Sequence, residues 1–439
     1  MERGFWKTDA YKQVLRLSNP YTHYGKITKI SGLTIEATGL VCKIGDVCRI
    51  GTDDKGRDIL AEAVGISEHK VFLMPYQDTG GIGFGSPVVN TGYKLMIGVS
   101  KEMLGRSVDA LGNPIDGGPP ISTDAYYPIN GVPCNPMERP PISESMELGV
   151  KCIDGLMTIG KGQRMGIFAG SGVGKSTLMG MIARNVKADI NVIALVGERG
   201  REVVEFINRD LGEEGAKRSI LVVATSDQPA MMRHKCALTA TTIAEYFRDQ
   251  GMHVLLMMDS LTRFAMAQRE IGLSIGEAPV ARGYTPSIYT ALPKLLERSG
   301  NFKKGSITGI YTVLVEGDDT NEPVADTVRS IIDGHIMLSR KIASQNHYPA
   351  IDVLNSVSRL MNDIVSPEQR EAAGKLRNML AVYRDHEDLI SIGAYKPGTN
   401  PALDDALRHI KKINAFLCQK VDEKFSFEET ADLLKKAVG

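Results

Sequence analysis

The segment Ala169-Gly170-Ser171-Gly172-Val173-Gly174-Lys175-Ser176 restricts this chain more than any other. It fits the phosphate-binding loop pattern, with Ala169 where the strictest form has glycine. Its three glycines let the backbone curl until successive N–H groups converge on phosphate oxygens. Lys175 supplies a point charge for β- and γ-phosphates, and the Ser176 hydroxyl suits a Mg²⁺ ligand. Residues 163–168 read as a strand running into the loop. Residues 177–186 read as a helix leaving it, with Leu178, Met181 and Ile182 on one face. The positive end of the helix dipole then faces the phosphates. The segment from Ala169 through Thr177 therefore predicts nucleotide binding within an α/β domain.

The rest of the chain divides by pattern. From residue 21 to 99, short β-prone runs alternate with glycine turns, as at 25–30, 33–37, 47–50 and 70–74. Regular short strands of this kind predict a small closed barrel. Residues 100–149 are rich in proline, which excludes long helices and suits a connection. From 150 to 365 helices alternate with continuous apolar runs, such as 192–196, 221–224, 254–258 and 311–315. Unbroken apolar runs fit parallel strands buried on both faces. Residues 366–439 carry three helical stretches, 368–383, 401–417 and 427–438, and read as a C-terminal helical domain. Residues 8–17 read as a short amphipathic helix near the N-terminus.

Reactive side chains in an open α/β sheet gather at the carboxyl ends of its strands. Asp259 follows the apolar run 254–258. It suits either a Mg²⁺ shell opposite Ser176 or the N-cap of the next helix. Glu198 ends the run 191–197. It suits either polarising an attacking water or standing as a solvated loop charge.

The segments 169–177, 196–203, 223–230, 258–263 and 284–287 together resemble the catalytic subunits of rotary ATP synthases and their type III secretion relatives, with the flagellar export branch the nearest. The resemblance runs from about residue 20 onward and includes Asn135–Ile142. The phosphate loop Ala169–Ser176 taken together with the Gly197-Glu198-Arg199-Gly200-Arg201-Glu202-Val203 run is specific to the secretion branch. The resemblance implies a RecA-like P-loop core with a mostly parallel sheet, behind an N-terminal β-barrel and ahead of a helical domain. It implies ATP and Mg²⁺ as cofactors, with Ser176 and Asp259 on the metal. Glu198 is implied as the catalytic carboxylate, Lys175 and Arg199 as cations on the phosphates, and Arg263 as an active-site arginine after the metal-binding acidic strand. Tyr348 is implied to stack on adenine, and Arg359 to act as an arginine finger lent to a neighbouring subunit. Implied partners are five further copies in a homohexamer, a stator-like regulator held by residues 1–20, an export gate, a stalk-like central subunit and export chaperones. The implied place is the cytoplasmic face of the inner membrane. Three other readings are a virulence-type secretion ATPase, a non-catalytic ring subunit and an RNA helicase of similar core. Non-catalytic subunits of the rotary family carry Gln in place of Glu198.

Composition excludes other classes. Lys+Arg and Asp+Glu are both 52, so the net charge is zero, which argues against nucleic acid as a main partner. No apolar run reaches the length of a membrane span, so any membrane association is expected to be peripheral. The first residues lack a signal-peptide core. The six cysteines show no metal-ligand spacing and read as reduced packing residues.

Overall fold

A computed structural model describes residues 23–51, 58–132, 134–315 and 322–439. The expected helix at 8–17 and the expected regulator-binding segment lie outside the described residues.

The first compact unit takes in the chain up to Leu95 together with Ser274–Gly276. It holds six strands, β1 (Tyr24–Ser31), β2 (Thr34–Thr38), β3 (Asp46–Ile50), β4 (Ile59–Ser67), β5 (Lys70–Pro75) and β6 (Pro87–Lys94). They close into a barrel in the order β1-β2-β5-β4-β3-β6. Alternation fills it. Ile59, Ala61 and Ala63 of β4 point inward and meet Ile27, Ile35, Ile50, Leu73 and Val88.

The expected barrel range ran to Val99, but the barrel's last strand stops at Lys94. Met96–Val99 (β7) pairs instead with Ala125–Pro128 (β9) in the second unit. Ile97 and Val99 are fully buried there. A short apolar strand carries no mark of which sheet will bury it. The proline-rich passage is likewise fastened down. Ser107–Val108 (β8) adds to the edge of the large sheet. The Thr239 hydroxyl donates to the Ala110 carbonyl at 2.6 Å, and Arg298 donates to the Ile129 carbonyl at 2.7 Å.

Ser145–Met146 (β10) and Ile159–Gly160 (β11) form a small ladder ahead of the main sheet. That sheet is built from β12 (Arg164–Ala169), β13 (Ile190–Glu198), β14 (Ser219–Thr225), β15 (His253–Asp259), β17 (Ser306–Leu314), β18 (Gly334–Leu338) and the edge pieces β8, β16 (Gly300–Asn301) and β19 (Val357–Ser358). Its order is β19-β18-β12-β17-β15-β13-β14-β8, with β16 beside β17. All pairs are parallel except those made by β16 and β19. The C-terminal helices Pro367–Asp385, Pro401–Leu417 and Phe427–Val438 share the core of this unit. Leu376, Leu380, Phe416 and Leu434 are packed into one cluster with Ile167, Leu178 and Ile182.

Candidate active site

Sheet order brings the site together. β13, β15, β17 and β12 are consecutive neighbours, so their carboxyl ends lie side by side. Register keeps them level, with Leu195 opposite Asp259 and Leu314 opposite Ala169.

The loop leaves β12 and turns at Gly172 and Gly174, whose φ values of 78° and 88° favour glycine. Gly174 caps the helix Lys175–Asn185 without any side-chain bond. The N–H groups of the first turn therefore remain available to a ligand. Leu178, Met181 and Ile182 bury the helix's apolar face, as its spacing predicts.

Lys175 Nζ lies 2.5 Å from Asp259 Oδ1, which also accepts from the Thr312 hydroxyl at 2.7 Å. Asp259 is not the cap of the following helix. The Ser260 hydroxyl accepts from the Arg263 N–H at 3.3 Å instead. Burial lowers the Lys175 pKa, but the Asp259 and Glu198 carboxylates outweigh it and leave it raised.

Glu198 follows a register shift in β13. Gly197 has φ 68°, and a Cβ there would press on the Arg263 side chain at 3.2 Å. Glycine thus lets Arg263 lie against the strand end that carries Glu198. Burial raises the Glu198 pKa to about 7, helped by the Asp259 charge and a hydrogen bond to Glu202 and opposed by Lys175 and Arg263. Its Oε1 is buried with no hydrogen-bond partner among the described residues, and so is Arg263 Nε. The solvated-charge reading of Glu198 does not hold, because the group is largely out of water.

These groups border a cavity of about 560 Å³ whose wall includes the loop, Thr177, Glu198, Glu202, Arg199, Arg209, Arg263 and Arg340. Five cations against two carboxylates make it a receptor for a polyanion. Arg199 borders it from a mostly exposed position, 3.6 Å from Glu202. A second cavity of about 820 Å³ shares Gly172, Gly174 and Thr177 with the first. Tyr348 lines it, and so does Phe425, across whose ring Lys151 Nζ lies at 4.6 Å. Phe425, Arg209 and Arg340 escaped the sequence reading, and no local pattern marks them. Arg359 lines neither cavity. It is exposed at the sheet edge, after β19.

The raised Glu198 pKa has a consequence for stability. The carboxyl ionises near its ordinary 4.5 in the unfolded chain and at about 7 in the fold. Its contribution is full below the lower value and is lost as pH rises through the upper one. Relative to Glu198→Gln, the wild-type chain should lose stability on the order of 2 kcal/mol between about pH 5 and pH 8. Thermal melts across that range check this. An unchanging difference would mean that Glu198 is already ionised in the fold.

The description "ATP synthase alpha/beta family, nucleotide-binding domain" matches residues 149–358, and the family's beta-barrel domain matches residues 27–92. The T3SS EscN ATPase C-terminal domain matches residues 365–436. The flagellum-specific ATP synthase of Bacillus subtilis is 52% identical over 99% of both chains. The type 3 secretion system ATPase of Xanthomonas euvesicatoria is 48% identical over 94% of this chain and 93% of its own. Among solved structures, the assembled ATPase EscN of the enteropathogenic E. coli type III secretion system superposes with a TM-score of 0.90 at 46% identity. That match covers 94% of this chain and 100% of the other. The agreement spans barrel, sheet and C-terminal helices alike, and the chain belongs to the ATP synthase alpha/beta family as an ATPase of its type III secretion branch.

Proposed function

We propose that this chain is the Mg²⁺-dependent ATP hydrolase of a flagellar type III export apparatus, working as a homohexameric ring. The observation that carries hydrolysis is Glu198. A buried carboxylate with an oxygen unpartnered among the described residues, at the wall of a cationic cavity, would orient and polarise a water. A glutamine there would suit a non-catalytic ring subunit. Lys175, Arg199 and Arg263 would neutralise the phosphates. Tyr348 and Phe425 would hold the base between them in the adjoining cavity. The Ser176 hydroxyl, at the cavity wall, and the Asp259 carboxylate, which Lys175 now holds, would be the Mg²⁺ donors; both offer oxygen, which fits a hard cation that completes its shell with phosphate and water. When bound, that cation would offset charge on the β- and γ-phosphates.

Relatives named flagellum-specific ATP synthase reach 52% and 51% identity, against 48% for one named type 3 secretion system ATPase, and this favours the flagellar apparatus. A solved structure of assembled EscN in complex with its central stalk EscO supports a stalk-like partner for this chain too. Residues 1–20 would engage a stator-like regulator, with the export gate and export chaperones as further partners. No helix among the described residues is long and apolar enough to cross a membrane, which suits a cytoplasmic subunit docked at the inner-membrane gate.

A strain lacking the chain should be non-motile and should swim again with the wild-type chain but not with Glu198→Gln. Intact motility with lost effector secretion would move the assignment to the virulence apparatus. Stimulation of hydrolysis by RNA would replace export with nucleic-acid translocation.

A further inference from the structure

Arg359 follows β19, a strand of only two residues at the edge of the sheet. A finger must be held to within a fraction of an ångström, because a misplacement of about 1 Å can cost roughly 10²-fold in rate. So short a ladder cannot supply that hold alone. The remainder comes from two residues beside β12. The Asp333 carbonyl accepts the Arg359 N–H at 3.0 Å. The Asp333 carboxylate in turn accepts the Arg164 backbone N–H at 3.0 Å and the Arg164 guanidinium at 3.2 Å. Gln163 is fully buried, with its amide engaged on both sides. Its Oε1 accepts from the Gly160 N–H at 2.8 Å. Its Nε2 donates to the Asp333 carbonyl at 3.2 Å and to the Ser358 hydroxyl at 3.0 Å. The Ser358 hydroxyl in turn donates to the Thr158 carbonyl at 2.8 Å. A fully buried glutamine is uncommon and restricts its neighbours to one arrangement. Gly334 completes the clamp, since a Cβ there would strike the Val357 carbonyl at 2.5 Å.

We propose that Gln163 and Asp333 are positioning residues for Arg359, fastening the finger offered to a neighbouring chain to the base of the strand that ends in this chain's own phosphate loop. The inference rests on the reading of Arg359 as a finger acting in trans. β12 runs from Arg164 to Ala169. It is hydrogen-bonded to β17 on one side and β18 on the other. Loop and finger are thus the two ends of one stiff element, roughly 16–20 Å apart along the strand.

Mixed rings separate this role from a merely structural one. Gln163→Leu keeps the loop, so the variant should bind ATP as the wild type does while kcat falls about 10- to 100-fold. Ser358→Ala, a smaller change, should give the same pattern more weakly and guards against a folding failure of Gln163→Leu. Mixed with Lys175→Ala, which keeps its finger, Gln163→Leu should regain activity, because its sound loops meet sound fingers. Mixed with Arg359→Ala it should regain none, because no chain then holds a well-placed finger. Rescue by Arg359→Ala would overturn the proposal, as would wild-type turnover in both single variants. Failure of the Lys175→Ala mixture would also overturn it, by placing the damage in the loop. If Lys175→Ala and Arg359→Ala fail to rescue each other, the finger in trans falls and takes this inference with it.

Discussion

Glu198→Gln should bind Mg²⁺-ATP as the wild type does and release almost no phosphate. The amide keeps the size of the carboxyl and much of its hydrogen bonding. It removes the one group at the cavity wall whose buried oxygen has no partner among the described residues and whose pKa lies near 7. A base is most effective when its pKa lies close to the working pH, and such groups contribute roughly 10²–10⁴ in rate. Turnover should fall by at least that much. Lys175→Ala should fail differently. It removes the charge that now holds Asp259 at 2.5 Å and that would face the phosphates, so binding itself should weaken. Titration with a fluorescent nucleotide and a phosphate-release assay separate the two effects. Near-normal turnover in Glu198→Gln would place the water-polarising group elsewhere.

The second large effect belongs to Arg359. Its exposed place at the sheet edge, outside both cavities, leaves the phosphate cavity of its own chain without it. Arginine fingers are worth roughly 10³–10⁵ in rate. Arg359→Ala should therefore be nearly inactive yet bind ATP. Mixed with the equally inactive Lys175→Ala, it should recover activity, because some interfaces pair a sound loop with a sound finger. Activity of the wild-type chain should also rise more steeply than linearly with protein concentration. Mixed rings that assemble without hydrolysis above either variant alone would count against a finger acting in trans.

Local pattern carried much of this. The loop glycines, the apolar face of the helix after them and the unbroken strand runs each state their conformation within a few residues. The helices at 401–417 and 427–438 start where local signals place them, the one with Pro at its first turn and the other with a capping box. Position after a strand was enough to single out Glu198 and Asp259, but not to choose between their alternatives. Burial speaks against a solvated charge at Glu198, and the Ser260 hydroxyl, not Asp259, accepts an N–H of the following helix.

What the sequence by itself determined is therefore whatever depends on neighbours along the chain: a phosphate loop between strand and helix, a barrel of short strands, and acids at strand ends. Tertiary structure alone decided which distant residues share a surface. Phe425 faces Tyr348's cavity from the C-terminal region, β7 leaves the barrel for β9, and Gln163 reaches across to Ser358. The reason is physical. Periodicity reports which face of an element is apolar, and two apolar faces look alike until the whole core has chosen how to pack them.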